Sequence, residues 1–188
     1  EKHQLKPTVI ATTPGTTSPE VEPAAQEIAK AAPQVVVMGL GAGTAPLFVR
    51  ALRQAGSTST IYGLSIAMNA QNIRDMGDLA RGLGFSIVVP SPFATKNEIV
   101  RRYQADMQAS GSSDFSLPSL EGYINARVLA EGLRRAGPAV GRANLITALE
   151  QIDALDLGGL RIGYGKGQRE GGHYVDVAVI GGGGRFVG

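Results

Sequence analysis

The run Ser119-Leu120-Glu121-Gly122-Tyr123-Ile124-Asn125-Ala126-Arg127-Val128-Leu129-Ala130-Glu131-Gly132-Leu133-Arg134-Arg135-Ala136-Gly137 constrains this chain most. Leu120, Ile124 and Val128 recur at helical spacing, and Leu129, Leu133 and Ala136 add an adjoining stripe. That is wider than one half-exposed helix needs, so the helix calls for a second surface to pack on. Arg134 and Arg135 suit its negative end, and Gly137-Pro138 terminates it. Leu145, Ile146, Leu149 and Ile152 mark another helix, and from Leu157 onward the apolar spacing falls to two. Tyr174, Asp176, Ala178 and Ile180 alternate with Val175, Val177 and Val179, and Gly181 to Gly184 breaks this strand before Arg185-Phe186-Val187. Two hairpin-like segments end the chain.

The residues ahead of the long helix alternate between strand and helix patterns. Thr8-Val9-Ile10-Ala11-Thr12 predicts a short strand entering a turn at Pro14-Gly15. A helix follows, opened by a capping box of Thr17 with Glu20, striped by Val21, Ala25, Ile28, Ala29 and Ala32, and stopped by Pro33. Val35 to Leu40 is a continuous apolar run, the pattern of a parallel strand covered on both faces. Leu47, Phe48, Ala51, Leu52 and Ala55 form the next helix, with Gly56 as its stop. Ile61 to Leu64 and Phe85 to Val89 predict two further strands around a polar helical stretch from Asn69 to Arg81. The order βαβαβαβ implies an α/β fold built on an open parallel sheet with right-handed crossovers. Ligands of such sheets lie beyond the carboxyl ends of the strands, so the loops Thr12 to Gly15, Gly39 to Thr44 and Ser65 to Asn69 are expected to share one edge. After Pro90-Ser91-Pro92, a capping box at Thr95 and Glu98 predicts a helix carrying Ile99, Val100, Tyr103 and Met107, ended by Ser110-Gly111.

Charge and motif content narrow the function classes. Lys plus Arg number 18 against 16 Asp plus Glu, with no basic run longer than two, so nucleic acid is not an expected partner. There is no cysteine, which excludes disulfides and thiolate metal sites. No apolar stretch approaches the roughly 20 residues of a membrane-spanning helix, so direct membrane insertion is not expected. Glu1 to Leu5 lacks a charged-then-apolar leader, so any export signal is expected to have been removed or to lie outside this chain. Gly39-Leu40-Gly41-Ala42-Gly43-Thr44 resembles a dinucleotide loop, but Thr44 stands where the third glycine belongs and no carboxylate follows about 20 residues on. The simpler reading is a tight strand-to-helix turn whose bare amides suit the carboxylate of a small ligand. Gly163-Tyr164-Gly165-Lys166-Gly167 departs from a phosphate loop at its first glycine, where Leu160 stands, and at Gly167, where Ser or Thr is required. It predicts a surface turn. His3 and His173 are far apart and no carboxylates cluster at ligand spacing, so neither a metal nor another cofactor is expected. Without a G-x-S-x-G elbow or cysteine, catalysis is not the expected role. Glu121 and Arg127 interrupt the long apolar helix but, six residues apart, do not share a face.

Several segments in order resemble the type I periplasmic solute-binding proteins of the leucine/isoleucine/valine branch. They are Pro14-Gly15-Thr16-Thr17, Ala32-Pro33-Gln34-Val35-Val36-Val37, Leu52-Arg53-Gln54-Ala55-Gly56, Glu121-Gly122-Tyr123 through Arg135-Ala136-Gly137, and the tail from Asp156-Leu157-Gly158-Gly159 to Arg185-Phe186. The resemblance runs over nearly all 188 residues but covers only the carboxy-terminal half of the family pattern. It implies a Rossmann-like lobe of a clamshell, a helical return segment and a β-hairpin tail. Residues 1–92 would belong to the second lobe, 93–156 would return toward the first lobe, whose sheet is not in this chain, and 157–188 would form the tail. The resemblance further implies a periplasmic component of an ABC importer that captures a small solute by lobe closure and presents it to the membrane permease. The chain would then be a fragment, self-associating through surfaces left by the missing lobe.

Where the amino-acid binders of that family carry an aromatic hydroxyl, this chain has Gly41 and Ala42, and where they carry a carboxylate for the ligand's ammonium it has Ser65. A serine hydrogen-bonds but cannot pair a charge, so a carboxylate-bearing or neutral solute is expected over a zwitterion. The expected wall is Gly41, Gly43, Thr44, Ser65, Ala67, Met68 and Asn69, with the other half of the pocket on the first lobe. Two alternatives stand beside this reading: a nucleotide-dependent enzyme on a Rossmann-like sheet, and a ligand-sensing regulatory domain.

Overall fold

The computed structural model describes residues 6–67, 69–138, 140–184 and 186–187. The chain forms two compact units, one made of the residues up to Ser86 with those from Val177 onward, the other of Ile87–Asp176.

The first unit is an α/β layer. Helix α1 (Ser18–Ala31) opens where expected: the Glu20 carboxylate accepts from the N–H (3.0 Å) and hydroxyl (2.5 Å) of Thr17. It ends at Ala32, in the left-handed region, just before Pro33. Strand β1 (Val35–Met38) is followed by α2 (Ala45–Gln54), β2 (Thr60–Leu64), α3 (Ala70–Met76) and β3 (Gly84–Ile87). β1 pairs with β2 and β2 with β3, both parallel, so the chain places all three carboxyl ends at one edge. Strand β6 (Asp176–Ile180) lies beside β3, held by Ile180 N–H to Leu83 O (2.9 Å) and Gly82 N–H to Ile180 O (2.8 Å), and β7 (Phe186–Val187) pairs antiparallel with it. The core gathers Val21 and Ile28 of α1, Phe48, Val49 and Leu52 of α2, and Val36, Met38, Ile61, Phe85 and Ile180 of the sheet.

Two sequence expectations change here. Thr8–Thr12 forms no strand: Val9 and Ala11 pack on the core and Ile10 is exposed, so alternation survives, but no neighbouring strand supplies a hydrogen-bonded ladder. β1 is not covered on both faces either. Val36 and Met38 are buried while Val35 and Val37 are 50% and 84% exposed, and Tyr62 and Leu64 extend the same bare face onto β2. A buried-strand composition reports what the residues tolerate, and among the described residues nothing covers that side.

The second unit packs α4 (Glu98–Ala109), α5 (Leu117–Ala136) and α6 (Arg142–Glu150) with the antiparallel pair β4 (Leu155–Asp156) and β5 (Arg161–Ile162). α4 begins at Glu98 with Asn97 at its cap, not at Thr95, because the turn Ala94–Asn97 closes through Asn97 N–H to Ala94 O (3.0 Å). α5 begins two residues earlier than Ser119, with the Ser116 hydroxyl accepting from Ser119 N–H. Leu120, Ile124 and Val128 enter the core with Ile99, Val100 and Tyr103, whereas Leu129 and Leu133 stay exposed. Tyr103 anchors this core by edge-on contacts with Phe115 (5.7 Å) and Tyr123 (5.6 Å) and by accepting from Ser116 N–H at 3.2 Å.

Candidate functional site

Because β1 and β2 are parallel neighbours, the segments after Met38 and Leu64 leave the sheet side by side. The first turns from β1 into α2, where Gly41 O accepts from the N–H groups of Thr44 (3.1 Å) and Ala45 (2.9 Å). Gly41 and Gly43 are exposed, and a Cβ at either would meet nothing within 4 Å. Glycine at these positions leaves bare backbone against open space and is not forced by crowding. Thr44 is at the N-cap of α2, yet it is buried and its side chain makes no capping bond.

The second segment passes through a tight 3-10 turn, Ser65–Ala67, to Asn69. Ser65 is half-buried, Ala67 is fully buried, and Met68 lies outside the described residues. Asn69 is exposed and caps α3, its side-chain oxygen accepting from Asn72 N–H at 2.8 Å. Asn72 then reaches across: its Nδ2 donates to Ala42 O (2.7 Å) and Ala67 O (3.4 Å). That one amide holds the glycine turn and the post-β2 turn together. The sequence reading missed Asn72. Its available signal was the Asn-x-x-Asn spacing at a helix start, but the acceptor Ala42 is 30 residues away and becomes a neighbour only through the parallel pairing.

The other singled-out residues have structural occupations. At the Thr12–Gly15 segment, the Glu20 carboxylate fills the space a Cβ on Gly15 would take, and its hydrogen bonds from Thr17 lower its pKa. Gly163–Gly167 contains a surface turn closed by Gln168 N–H to Gly165 O at 2.9 Å. His173 is exposed, three residues ahead of β6. Arg127 engages Tyr123, not Glu121: it donates to the Tyr123 hydroxyl (3.3 Å) and stands 5.9 Å from the ring centre, while that hydroxyl donates to Asp106 (2.6 Å). Burial, then the bond to Asp106, pushes the Tyr123 phenol up. A cavity of about 300 Å³ in the second unit is lined mainly by Val128, Leu129, Ile146 and Leu149, with Arg169 paired to Glu150 (3.4 Å) at its wall. Among the described residues, no group of three or more His, Cys, Asp or Glu is placed to hold a metal, and no helix is long and apolar enough to cross a membrane.

The periplasmic binding protein family profile matches residues 3–185, almost the whole chain. The chain belongs to the periplasmic binding protein family. Solved periplasmic binding proteins share its fold. An extracellular ligand-binding receptor from Verminephrobacter eiseniae superposes with a TM-score of 0.83 at 27% identity, over 95% of this chain and 51% of that one. A substrate-binding periplasmic protein from Ralstonia solanacearum gives 0.78 at 30% identity, over 91% and 49%. A possible leucine/isoleucine/valine-binding protein from Rhodopirellula baltica gives 0.82 at 25% identity, over 92% and 47%. The chain therefore spans about half the length of these binding proteins. No curated protein matches it.

Proposed function

We propose that the chain is part of the extracytoplasmic, periplasmic solute-binding component of an ABC importer, capturing a small amino-acid-like or carboxylate solute without breaking a bond. Its wall for the solute is the pair of turns at the carboxyl edge of β1 and β2, with Gly41 and Gly43 on one and Ser65 and Asn69 on the other; of the expected wall, Thr44 and Ala67 are buried behind these turns and Met68 lies outside the described residues. The observation that carries this reading is the open, bare backbone of Gly41 and Gly43, tied to the post-β2 turn in a chain of the periplasmic binding protein family. Of the similar solved structures, one is an extracellular ligand-binding receptor and another a possible leucine/isoleucine/valine-binding protein, which supports an amino-acid-like solute. Glycine amides favour an anionic oxygen, while Ser65 offers a hydrogen bond and no counter-charge for an ammonium. In the mechanism, a solute bridging two lobes stabilises their closed arrangement by its differential affinity, and the permease recognises that state. With about half of the relatives' length in this chain, full affinity is expected only when both lobes are present.

Calorimetric titration with branched-chain amino acids and with their deaminated carboxylates tests the reading. We expect heat from the carboxylates and weaker binding of the amino acids. Ser65→Asp should reverse that order by restoring a partner for the ammonium. A two-lobed protein carrying this chain that binds neither class would refute the proposal.

A further inference from the structure

We infer that Asn72 is the positioning residue of the solute site, acting as a hydrogen-bond donor that fixes the distance between its two turns; this rests on the solute-binding reading of those turns. Asn72 occupies the third position of α3, where the Asn69 side chain holds its backbone N–H at 2.8 Å and so sets the direction its own side chain takes. Its Nδ2 has two hydrogens and two backbone acceptors: Ala42 O at 2.7 Å, in the glycine turn, and Ala67 O at 3.4 Å, in the turn after β2. The acceptors belong to turns more than 20 residues apart in sequence, and no other side-chain hydrogen bond among the described residues joins these two turns. Ala42 stands between Gly41 and Gly43, which bring no side chains to this stretch; its ends are held by packed Leu40 and Thr44, and its middle by the Asn72 amide. A glycine-rich turn that must present its amides in one geometry therefore depends on an external tether, and a half-buried amide is a suitable one.

The donor role separates from a packing role by comparing two variants. Asn72→Asp keeps the shape but points carboxylate oxygens at two carbonyl oxygens, whereas Asn72→Ala removes the group altogether. If Asn72 acts by donating, amide exchange at Thr44 and Ala45, whose N–H groups are bonded to Gly41 O, and at Ile73, bonded to Asn69 O, measured without any solute, should quicken about fivefold to tenfold in both variants and at least as much in Asp as in Ala. Ile61 in β2 and Leu52 in α2 should keep their wild-type exchange. Wild-type protection in the Asp variant, or equal acceleration throughout the first unit, would overturn the proposal. The same proteins are then titrated with 4-methyl-2-oxopentanoate: weaker binding in both variants is expected, and affinity unchanged in both would also overturn it. Failure of the wild type to bind any carboxylate would count against solute capture, while the exchange data would still decide whether Asn72 tethers the turns.

Discussion

A single carbonyl oxygen decides what can stand at position 163. A Cβ there would lie 2.3 Å from Asp153 O, because the backbone is pinned on both sides by Gly163 N–H to Gly171 O (2.8 Å) and Tyr164 N–H to Ile152 O (2.6 Å). Two residues on, a Cβ at Gly165 meets only the end of the Gln168 side chain at 3.5 Å. Gly163→Ala should therefore cost about 1–3 kcal/mol in urea unfolding and Gly165→Ala no more than about 0.5 kcal/mol. The glycines that made this run look like a phosphate loop have a backbone-packing reason at Gly163. Charge acts at the same scale on α5. Hydrogen bonds from Arg134, then from Arg135, lower the Glu131 carboxyl from 4.5 to about 2. A lowered folded pKa means the stabilisation is present above about pH 4.5 and is lost as the pH falls through about 2. In thermal melts, wild type should melt above Glu131→Gln at pH 6, with the gap closing toward pH 2 and shrinking in 1 M salt.

At the scale of elements, α5 shows how far a helical pattern can be read. Its two adjoining apolar stripes were legible in the spacing, but the spacing did not say which one the chain itself would cover. The structure buries Leu120, Ile124 and Val128 against α4 and the hairpin β4–β5, and leaves Leu129 and Leu133 46% and 39% exposed. Ile124→Ala should cost about 2–5 kcal/mol, since its cavity is walled by packed neighbours, while Leu133→Ala should cost less than about 1 kcal/mol. Equal losses would mean the second stripe is covered in solution. The same distinction applies to the strands. Val35 to Met38 was readable as a strand from its valines, and Thr8 to Thr12 looked equally good, yet only the first has a neighbour to pair with. Local propensity proposes a strand, but a ladder partner is what makes one.

For the whole molecule, the bare apolar surface has a measurable consequence. β1 is an outer strand of its sheet and carries no charge or proline, and Val35, Val37, Tyr62 and Leu64 present one apolar face. Edges and faces of this kind associate unless they are blocked. The 19.5 kDa chain is expected to sediment faster as its concentration rises, and Val37→Lys should shift it toward monomer with little change in melting temperature. A wild-type monomer at every concentration would show that this face does not drive association.

What the sequence determined by itself was whatever depends on short-range pattern: the succession of strands and helices from α1 onward, the Thr17–Glu20 cap, the stops at Pro33 and Gly111, the paired hairpins of the tail and, through the order of its motifs, the family. The side-by-side placement of the two loops after β1 and β2 was also legible, because a parallel sheet sends the segments after its strands to one edge. Only the tertiary structure could decide that Asn72 ties those loops together, that Gly163 faces a backbone oxygen, and that one face of β1 stays bare. Asn72 meets a carbonyl 30 residues away, Gly163 meets one across a turn of the chain, and the bare face reflects packing that is absent among the described residues, so all three are set by how elements are placed in space and none by local pattern.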